Sequence, residues 1–423
     1  MPISVADSGR HLLDADGEPF FFLADTAWNT ALKADQPQWD DYLAVRKAQG
    51  FTAIEFVTTP WRGCREPMHG ALFEETPTGV NVNDAAWAKM EEWLQRLRSH
   101  GFTPVPVIFW DNNPDDPFFR RREDTCIAVG QRMLERWSRF DPIWLLAGDG
   151  DYRSSYQEAR WKRIGQGIFG GFPEAIATLH PCGTTWAGDA FSDQPWYQAI
   201  GYQSGHGHSL NDLYWHTMGP HTWRWRDLQK PFINLEPNYE LATAFHEDFP
   251  YEARHVRRAL WWSLLSTPIA GITYGNEPTW VWNESAYAPA EGHGDFWGAG
   301  HWRTGLQTEG VGQLRSLRTI LERLPWTELN PAEELLVEQP GWTKAMHFQK
   351  CAATEDRSTV LAYLPVGGRI TLAAELLRPP REALWVDPRT AQTHPCVLQT
   401  TRGLCVAEAP DARDWLLQLQ LPA

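Results

Sequence analysis

Between residues 20 and 326, eight short apolar runs alternate with segments of helical period, and this alternation restricts the fold more than any other feature of the chain. The runs are Phe20–Asp25, Phe51–Val57, Phe102–Phe109, Pro142–Ala147, Glu174–Leu179, Ala199–Gln203, Phe232–Leu235 and Ala270–Tyr274. Helical patterning is predicted over Gln38–Gln49, Asp84–His100, Glu123–Phe140, Tyr156–Ile168, Arg254–Leu265 and Gly310–Arg323, with a broken stretch over Leu210–Leu228. Gly50 and Gly101 stand where helices stop, and Asn83 where one starts. Eight strand-then-helix units in one stretch are what a (β/α)8 TIM barrel requires, so the expected fold class is α/β. A doubly wound open sheet is the alternative. It would carry a glycine-rich phosphate loop after its first strand, and Phe20 to Trp28 contains no glycine.

The pattern changes after Trp326. Residues 329–423 hold short alternating segments at Glu333–Glu338, Thr343–Phe348, Ser358–Leu364, Arg369–Leu372, Ala383–Val386, Cys396–Leu398, Cys405–Ala407 and Trp415–Gln418. Turn signals such as Gly367-Gly368 and Asp387-Pro388 separate them. Strands at this spacing predict a C-terminal β-sandwich domain. Residues 1–19 read as a β-hairpin that either pairs with the sandwich or plugs the barrel floor. The expected division is therefore hairpin 1–19, barrel 20–326 and sandwich 329–423.

With 53 acidic and 38 basic side chains, the net charge of −15 disfavours nucleic acid and anionic membrane as partners. No stretch approaches the length of a membrane span. The opening residues carry neither a basic n-region nor an apolar h-region, so the expectation is a cytoplasmic chain, secreted only if a leader has been trimmed. Six cysteines without CxxC pairs argue against a metal framework, and no metal or cofactor is expected. Cys396 and Cys405 could face each other in a hairpin.

A TIM barrel holds its active site at the C-terminal ends of its strands. The residues just past the predicted strands are Asp25 to Trp28, Thr58 to Trp61, Trp110 to Asn113, Gly148 to Asp151, His180-Pro181, Gln203 to His206, Glu236 to Glu240 and Tyr274 to Asn276. Carboxylates, histidines, amides and aromatics concentrate there, whereas the strand starts are mostly Phe, Pro and Ala. Two carboxyl groups across a barrel mouth are what glycoside hydrolysis needs, one to protonate the leaving oxygen and one to attack the anomeric carbon or activate water. Asp149 after the fourth strand and Glu236 after the seventh are the candidate pair. A turn or capping role for Asp149 and a buried ion pair for Glu236 are the structural alternatives. Asp151 and Glu240 lie further from their strands. Substrate-binding candidates are Asp25, Trp28, Trp61, Trp110, His180, Gln203, His206, Tyr239, Tyr274 and Trp282. The 24 tryptophans suit a carbohydrate site, because flat aromatic faces match the apolar faces of sugar rings. His206-Gly-His208 resembles a metal pair only briefly, since no His-x-His accompanies it on the first strand.

Phe22-Leu-Ala-Asp-Thr-Ala-Trp28, Trp144-Leu-Leu-Ala-Gly-Asp149, Thr178-Leu-His-Pro181, Gln203-Ser-Gly-His206, Glu236-Pro-Asn-Tyr-Glu240 and Thr273-Tyr-Gly275 resemble the apiosidase-like glycoside hydrolases, glycoside hydrolase family 140 and its relatives. Trp385 to Thr390 resembles that group's tail domain, which carries a collagen-binding label. The resemblance implies a barrel with a C-terminal β-sandwich and a retaining mechanism, with Asp149 as acid/base and Glu236 as nucleophile. The chain departs from the family at Ala147, where Gly is usual, and in lacking a secretory leader. It implies a carbohydrate partner, short oligosaccharides or glycosides, without fixing the sugar. The rival readings are a carbohydrate-binding barrel that has lost catalysis and a metal-dependent hydrolase.

Overall fold

The computed structural model describes all residues except 1, 2, 77, 78, 113, 287, 289, 294–299, 378–381 and 421–423. Eight parallel strands form the central sheet: β1 Phe22–Thr26, β2 Ala53–Val57, β3 Thr103–Trp110, β4 Ile143–Gly148, β5 Ile176–Thr178, β6 Ile200–Tyr202, β7 Phe232–Asn234 and β8 Gly271–Tyr274. Their order is β5-β4-β3-β2-β1-β8-β7-β6. β5 and β6 share no backbone ladder. Instead an isolated parallel bridge between Ala177 and Tyr197, with the Gln198 N–H donating to Ala177 O (2.9 Å), and the Thr178 hydroxyl, which donates to Ala199 O (2.8 Å) and accepts from the Gly201 N–H (2.9 Å), close the barrel. Position 201 has to be glycine, because a Cβ there would stand 2.2 Å from Leu179 O.

The covering helices are α1 Gln36–Gln49, α2 Asp84–Ser99, α3 Glu123–Trp137, α4 Ser155–Phe169, α5 Gly188–Phe191, α6 Leu210–Met218, α7 Ala253–Ser266 and α8 Glu309–Glu322. Their starts follow side-chain chemistry. Asp35 and Gln38 form a capping box on α1, and Asn83 and Ser154 accept from the first turns of α2 and α4. The break predicted within Leu210–Leu228 falls at Gly219-Pro220, where α6 ends and a one-turn helix, His221–Arg224, begins.

The N-terminal segment makes three short antiparallel strands, Ser4–Val5, Leu12–Leu13 and Pro19–Phe20. Ile3 borders a crevice with Trp144 and Ile176, at the starts of β4 and β5, so the segment lies against the barrel floor. The C-terminal region is a sandwich of a six-stranded and a three-stranded antiparallel sheet, with Lys350–Ala353 and Thr359–Leu364 buried throughout and Thr393–Pro395 and Gln399–Thr401 exposed. Three of its predicted strands are absent, and one of them, Cys396–Leu398, is the link between the strands Thr393–Pro395 and Gln399–Thr401. Glu333–Glu338 and Thr343–Phe348 fold mainly as 3-10 turns, Glu333–Leu335, Pro340–Trp342 and Ala345–His347. Pro340 and Gly341 punctuate this stretch, and alternation of apolar residues alone does not separate such turns from a strand. Cys396 and Cys405 are both free thiols, so the pairing considered for them is not made.

The sandwich is fastened to α6 and α7. Arg257 on α7 grips Asp414 with two nitrogens (2.6 and 2.7 Å), and Tyr363 donates to the same carboxylate (3.0 Å). Trp262 Nε1 donates to Phe348 O (2.8 Å), and Lys350 Nζ donates to Thr217 O (2.6 Å). Among the described residues no helix is long and apolar enough to cross a membrane.

Candidate active site

Asp149 stands one residue past β4 with φ of 48°, a left-handed conformation that Asp tolerates better than most residues. Gly148 before it leaves room for the Trp110 ring, which a Cβ would meet at 2.3 Å. The loop is tied to the one after β5. The Asp149 N–H donates to His180 Nδ1 (3.2 Å), and the Gly150 N–H donates to His180 O (3.0 Å). Glu236 is set by Asn234 at the end of β7. Asn234 Oδ1 accepts from the Glu236 N–H (3.3 Å) and the Ser204 N–H (3.2 Å), while its Nδ2 donates to Ser204 Oγ (2.8 Å) and Ser263 Oγ of α7 (3.0 Å).

These two loops bring the carboxyls together. An oxygen of Asp149, an oxygen of Glu236 and a ring nitrogen of His180 all lie within 4.8 Å of one another. His206 Nε2 sits 2.8 Å from Glu236 Oε1, and His180 Nε2 sits 3.1 Å from Glu236 Oε2. Arg62 Nη2 is 3.0 Å from Asp149 Oδ2, and Asn112 Nδ2 donates to the same oxygen (3.3 Å).

The electrostatics differ between the partners. Burial, and then the charge of Glu236, raise the Asp149 pKa, against opposing pulls from Arg62 and His180. Burial also opposes ionisation of Glu236, but the bonds and charges of His180 and His206 outweigh it and bring its pKa down to about 2. Burial disfavours a charged His180, while Glu236 and Asp149 pull its pKa up. The Asp149 N–H aimed at Nδ1 needs a lone pair there, so the proton of the ring belongs on Nε2, facing Glu236. On β2, Glu55 is buried, and neither carboxyl oxygen has a hydrogen-bond partner among the described residues. Burial, and then the charges of Glu236 and Asp25, push its pKa well above the usual range.

The carboxyls open into a cleft of about 250 Å³. Of the residues singled out in the sequence, Trp28, Trp61, Trp110, Gln203, His206 and Tyr239 line it with Asp149 and Glu236. Trp28 Nε1 donates to Tyr239 OH (2.7 Å), and the Trp61 and Trp110 rings lie 4.3 Å apart. Gln203 Oε1 and Trp110 Nε1 are buried without a hydrogen-bond partner among the described residues. His180 is fully buried beside the pair and meets the Trp28 ring edge-on at 5.3 Å.

Three candidates lie elsewhere. Asp25 points out of the barrel, where it accepts from Arg46 Nε (2.7 Å) and Tyr42 OH (2.6 Å) of α1 with no exposure to solvent. Tyr274, which pairs with Asp25 across the ladder, shares that parity and donates to Glu240 Oε2 (2.6 Å). Trp282 stacks on Trp302 at 4.3 Å, and it is Trp280, two residues earlier, that borders the cleft. Glu240 and Asp151, further from their strands than the candidate pair, have other partners. Glu240 accepts from the Gly310 N–H at the start of α8 (2.7 Å), and Asp151 pairs with Arg153 (2.8 Å). The sequence reading missed Arg62, Cys182, Trp280, Phe245 and His293, all on the cleft wall, because they lie further along the loops than the strand ends. Asn112 stood among the strand-end residues without being singled out, and Asn113 beside it lies outside the described residues.

The proximity of Asp149, His180 and Glu236 invites comparison with a metal centre. The hydrogen bonds oppose it. A metal at His180 Nε2 needs the ring proton on Nδ1, head-on against the Asp149 N–H.

Residues 6–328 match the family described as apiosidase-like, catalytic domain. A solved structure described as a glycoside hydrolase superposes with a TM-score of 0.81 at 19% identity, covering 99% of this chain and 97% of that one. A glycoside hydrolase family 5 structure from Bacteroides vulgatus ATCC 8482 gives 0.81 at 18% identity, covering 99% and 92%. At these identities the likeness is one of fold. No curated protein matches the sequence.

Proposed function

The chain belongs to the apiosidase-like family and is a glycosidase, and we propose that it retains anomeric configuration, acting from the chain end on short plant-type oligosaccharides or glycosides. One observation carries the reading. One oxygen of Asp149 and one of Glu236 lie within 4.8 Å of each other, a close approach that favours the shorter carboxyl separation of retaining enzymes, roughly 5–5.5 Å, over the roughly 6.5–9.5 Å that admits an attacking water. The pKa directions agree. Glu236 is ionised and aimed by two histidines, as a nucleophile requires, and Asp149 is pushed toward its protonated form, as an acid requires.

In the first half-reaction a Glu236 oxygen bonds to the anomeric carbon while Asp149 gives its proton to the departing glycosidic oxygen. In the second, Asp149 takes a proton from water, the water oxygen bonds to the anomeric carbon, and Glu236 leaves as carboxylate. The cleft, about 250 Å³, falls just below the roughly 300–1,000 Å³ of common ligand pockets, which suits a single terminal sugar. A screen of aryl glycosides and plant oligosaccharides identifies the substrate. Proton NMR of the first-formed anomer then tests retention, and an inverted product overturns it.

A further inference from the structure

Asp116 is buried, sits 33 positions before Asp149 and takes no part in the steps above. Its Oδ1 accepts from the Arg62 backbone N–H (3.1 Å). Its Oδ2 accepts from Arg62 Nη1 (2.9 Å) and from the Asn112 backbone N–H (3.0 Å). The two residues it holds are the two that donate to Asp149 Oδ2, through Arg62 Nη2 (3.0 Å) and Asn112 Nδ2 (3.3 Å). The Arg62 guanidinium also lies over the Trp61 and Trp110 rings, 5.7 and 5.6 Å from their centres, which leaves it little freedom. Asp149 Oδ1, by contrast, is buried without a hydrogen-bond partner among the described residues. With both donors on Oδ2, the proton that Asp149 delivers rides on Oδ1.

We propose that Arg62, held by Asp116, is the positioning residue that lets Asp149 serve first as acid and then as base, with Asp116 setting how much of the guanidinium charge Asp149 receives. This rests on the reading of Asp149 as the acid/base. When Asp149 has given its Oδ1 proton to the leaving oxygen, Arg62 and Asn112 hold the new carboxylate until it takes a proton from water. A guanidinium committed wholly to Asp149 would strip that proton before substrate arrives. The second carboxylate, Asp116, draws part of the charge away. The other groups facing Asp149 are Glu236 from the loop after β7 and His180 from the loop after β5. Cys182 and Tyr152 also adjoin it and stay neutral, burial lifting the thiol to about 12 and the phenol well above its usual value.

The test is the titration of Asp149 in the free protein, by carbon-13 NMR of aspartate-labelled samples, with its signal assigned by its loss in Asp149→Asn. Arg62→Met is expected to raise the midpoint by roughly one to three units, and Arg62→Lys by less. Asp116→Asn is expected to lower it, and to have no such effect when Arg62→Met is already present. The basic limb of kcat/KM on the best aryl glycoside should move in the same directions. An unmoved midpoint in both Arg62→Lys and Asp116→Asn overturns the proposal, as does an Asp116→Asn shift that persists without Arg62. The NMR titration needs no substrate. A protein inert toward every glycoside would sink the proposed function alone, while an unmoved midpoint in an active enzyme would sink this inference alone.

Discussion

At Asp149 and Glu236 the same burial has opposite results, because His180 and His206 together draw Glu236 down while the charge of Glu236 adds to burial at Asp149. The substitutions should therefore fail differently. Glu236→Ala removes the attacking group, so turnover should fall on every substrate. Asp149→Ala should spare the first step on a dinitrophenyl glycoside, whose leaving group needs no proton, and the glycosyl-enzyme should then accumulate. Added azide needs no base, and should release it as a glycosyl azide of retained configuration. The assignment is wrong if Asp149→Ala keeps full activity on natural-type substrates. Activity should also decline with pH on both sides, on the acid side as Glu236 takes up a proton and on the alkaline side as Asp149 loses one. A third carboxyl acts on stability. Burial lifts the Asp111 pKa to about 7, although Arg160 and the Trp161 N–H (2.8 Å) oppose the rise. The folded state thus binds this proton more tightly than the unfolded chain does. The contribution is fully present below the ordinary carboxylate pKa and is lost as pH rises through about 7. Asp111→Asn should remove up to about 4 kcal/mol of that pH dependence. Urea unfolding of both proteins at pH 5 and pH 8 checks it, and an unchanged pH 5 to pH 8 difference would exclude the effect.

Among the elements, the outward face of β1 is locked to α1 by the Asp25–Arg46 pair and Tyr42. Removing one partner strands a buried charge, so Asp25→Ala should cost about 3–5 kcal/mol of stability. If denaturant unfolding shows less than about 1 kcal/mol, the pair is not holding the helix. The same strand shows what a sequence can and cannot convey. The eight runs and the helices between them were legible, because apolar periodicity and caps such as Asn83 are local signals. So were Asp149 and Glu236, the carboxyls at strand ends on opposite sides of the mouth. The facing of residues was not legible. Asp25 and Tyr274 are ladder partners whose parity turns them toward the helices, and a shift of one residue decides between cleft and exterior. Trp280 and Trp282 differ likewise, through a left-handed turn at Trp282 (φ 57°). Arg62 and Asp116 escaped because their partnership spans 54 positions, and long-range ion pairs leave no periodic trace.

In the whole molecule, sandwich and barrel share apolar packing. Ala352, Leu361, Tyr363 and Leu416 of the sandwich belong to the same buried cluster as Trp261 and Trp262 of α7. Arg257→Ala should leave Asp414 with Arg389 (2.8 Å) as its remaining counter-charge and cost about 2–3 kcal/mol, the worth of the charged hydrogen bonds lost. Thermal unfolding measures the loss, and a variant as stable as the parent would show that the seam is held by packing alone. The seam reaches further than stability. α7 also carries Ser263, which holds Asn234, which holds the Glu236 backbone. The tail is therefore a buttress whose grip ends two hydrogen bonds from the Glu236 backbone. Grafting a relative's tail onto this barrel should succeed only where the graft supplies the carboxylate that Arg257 expects. A mismatched chimera would lose kcat before it lost its shape.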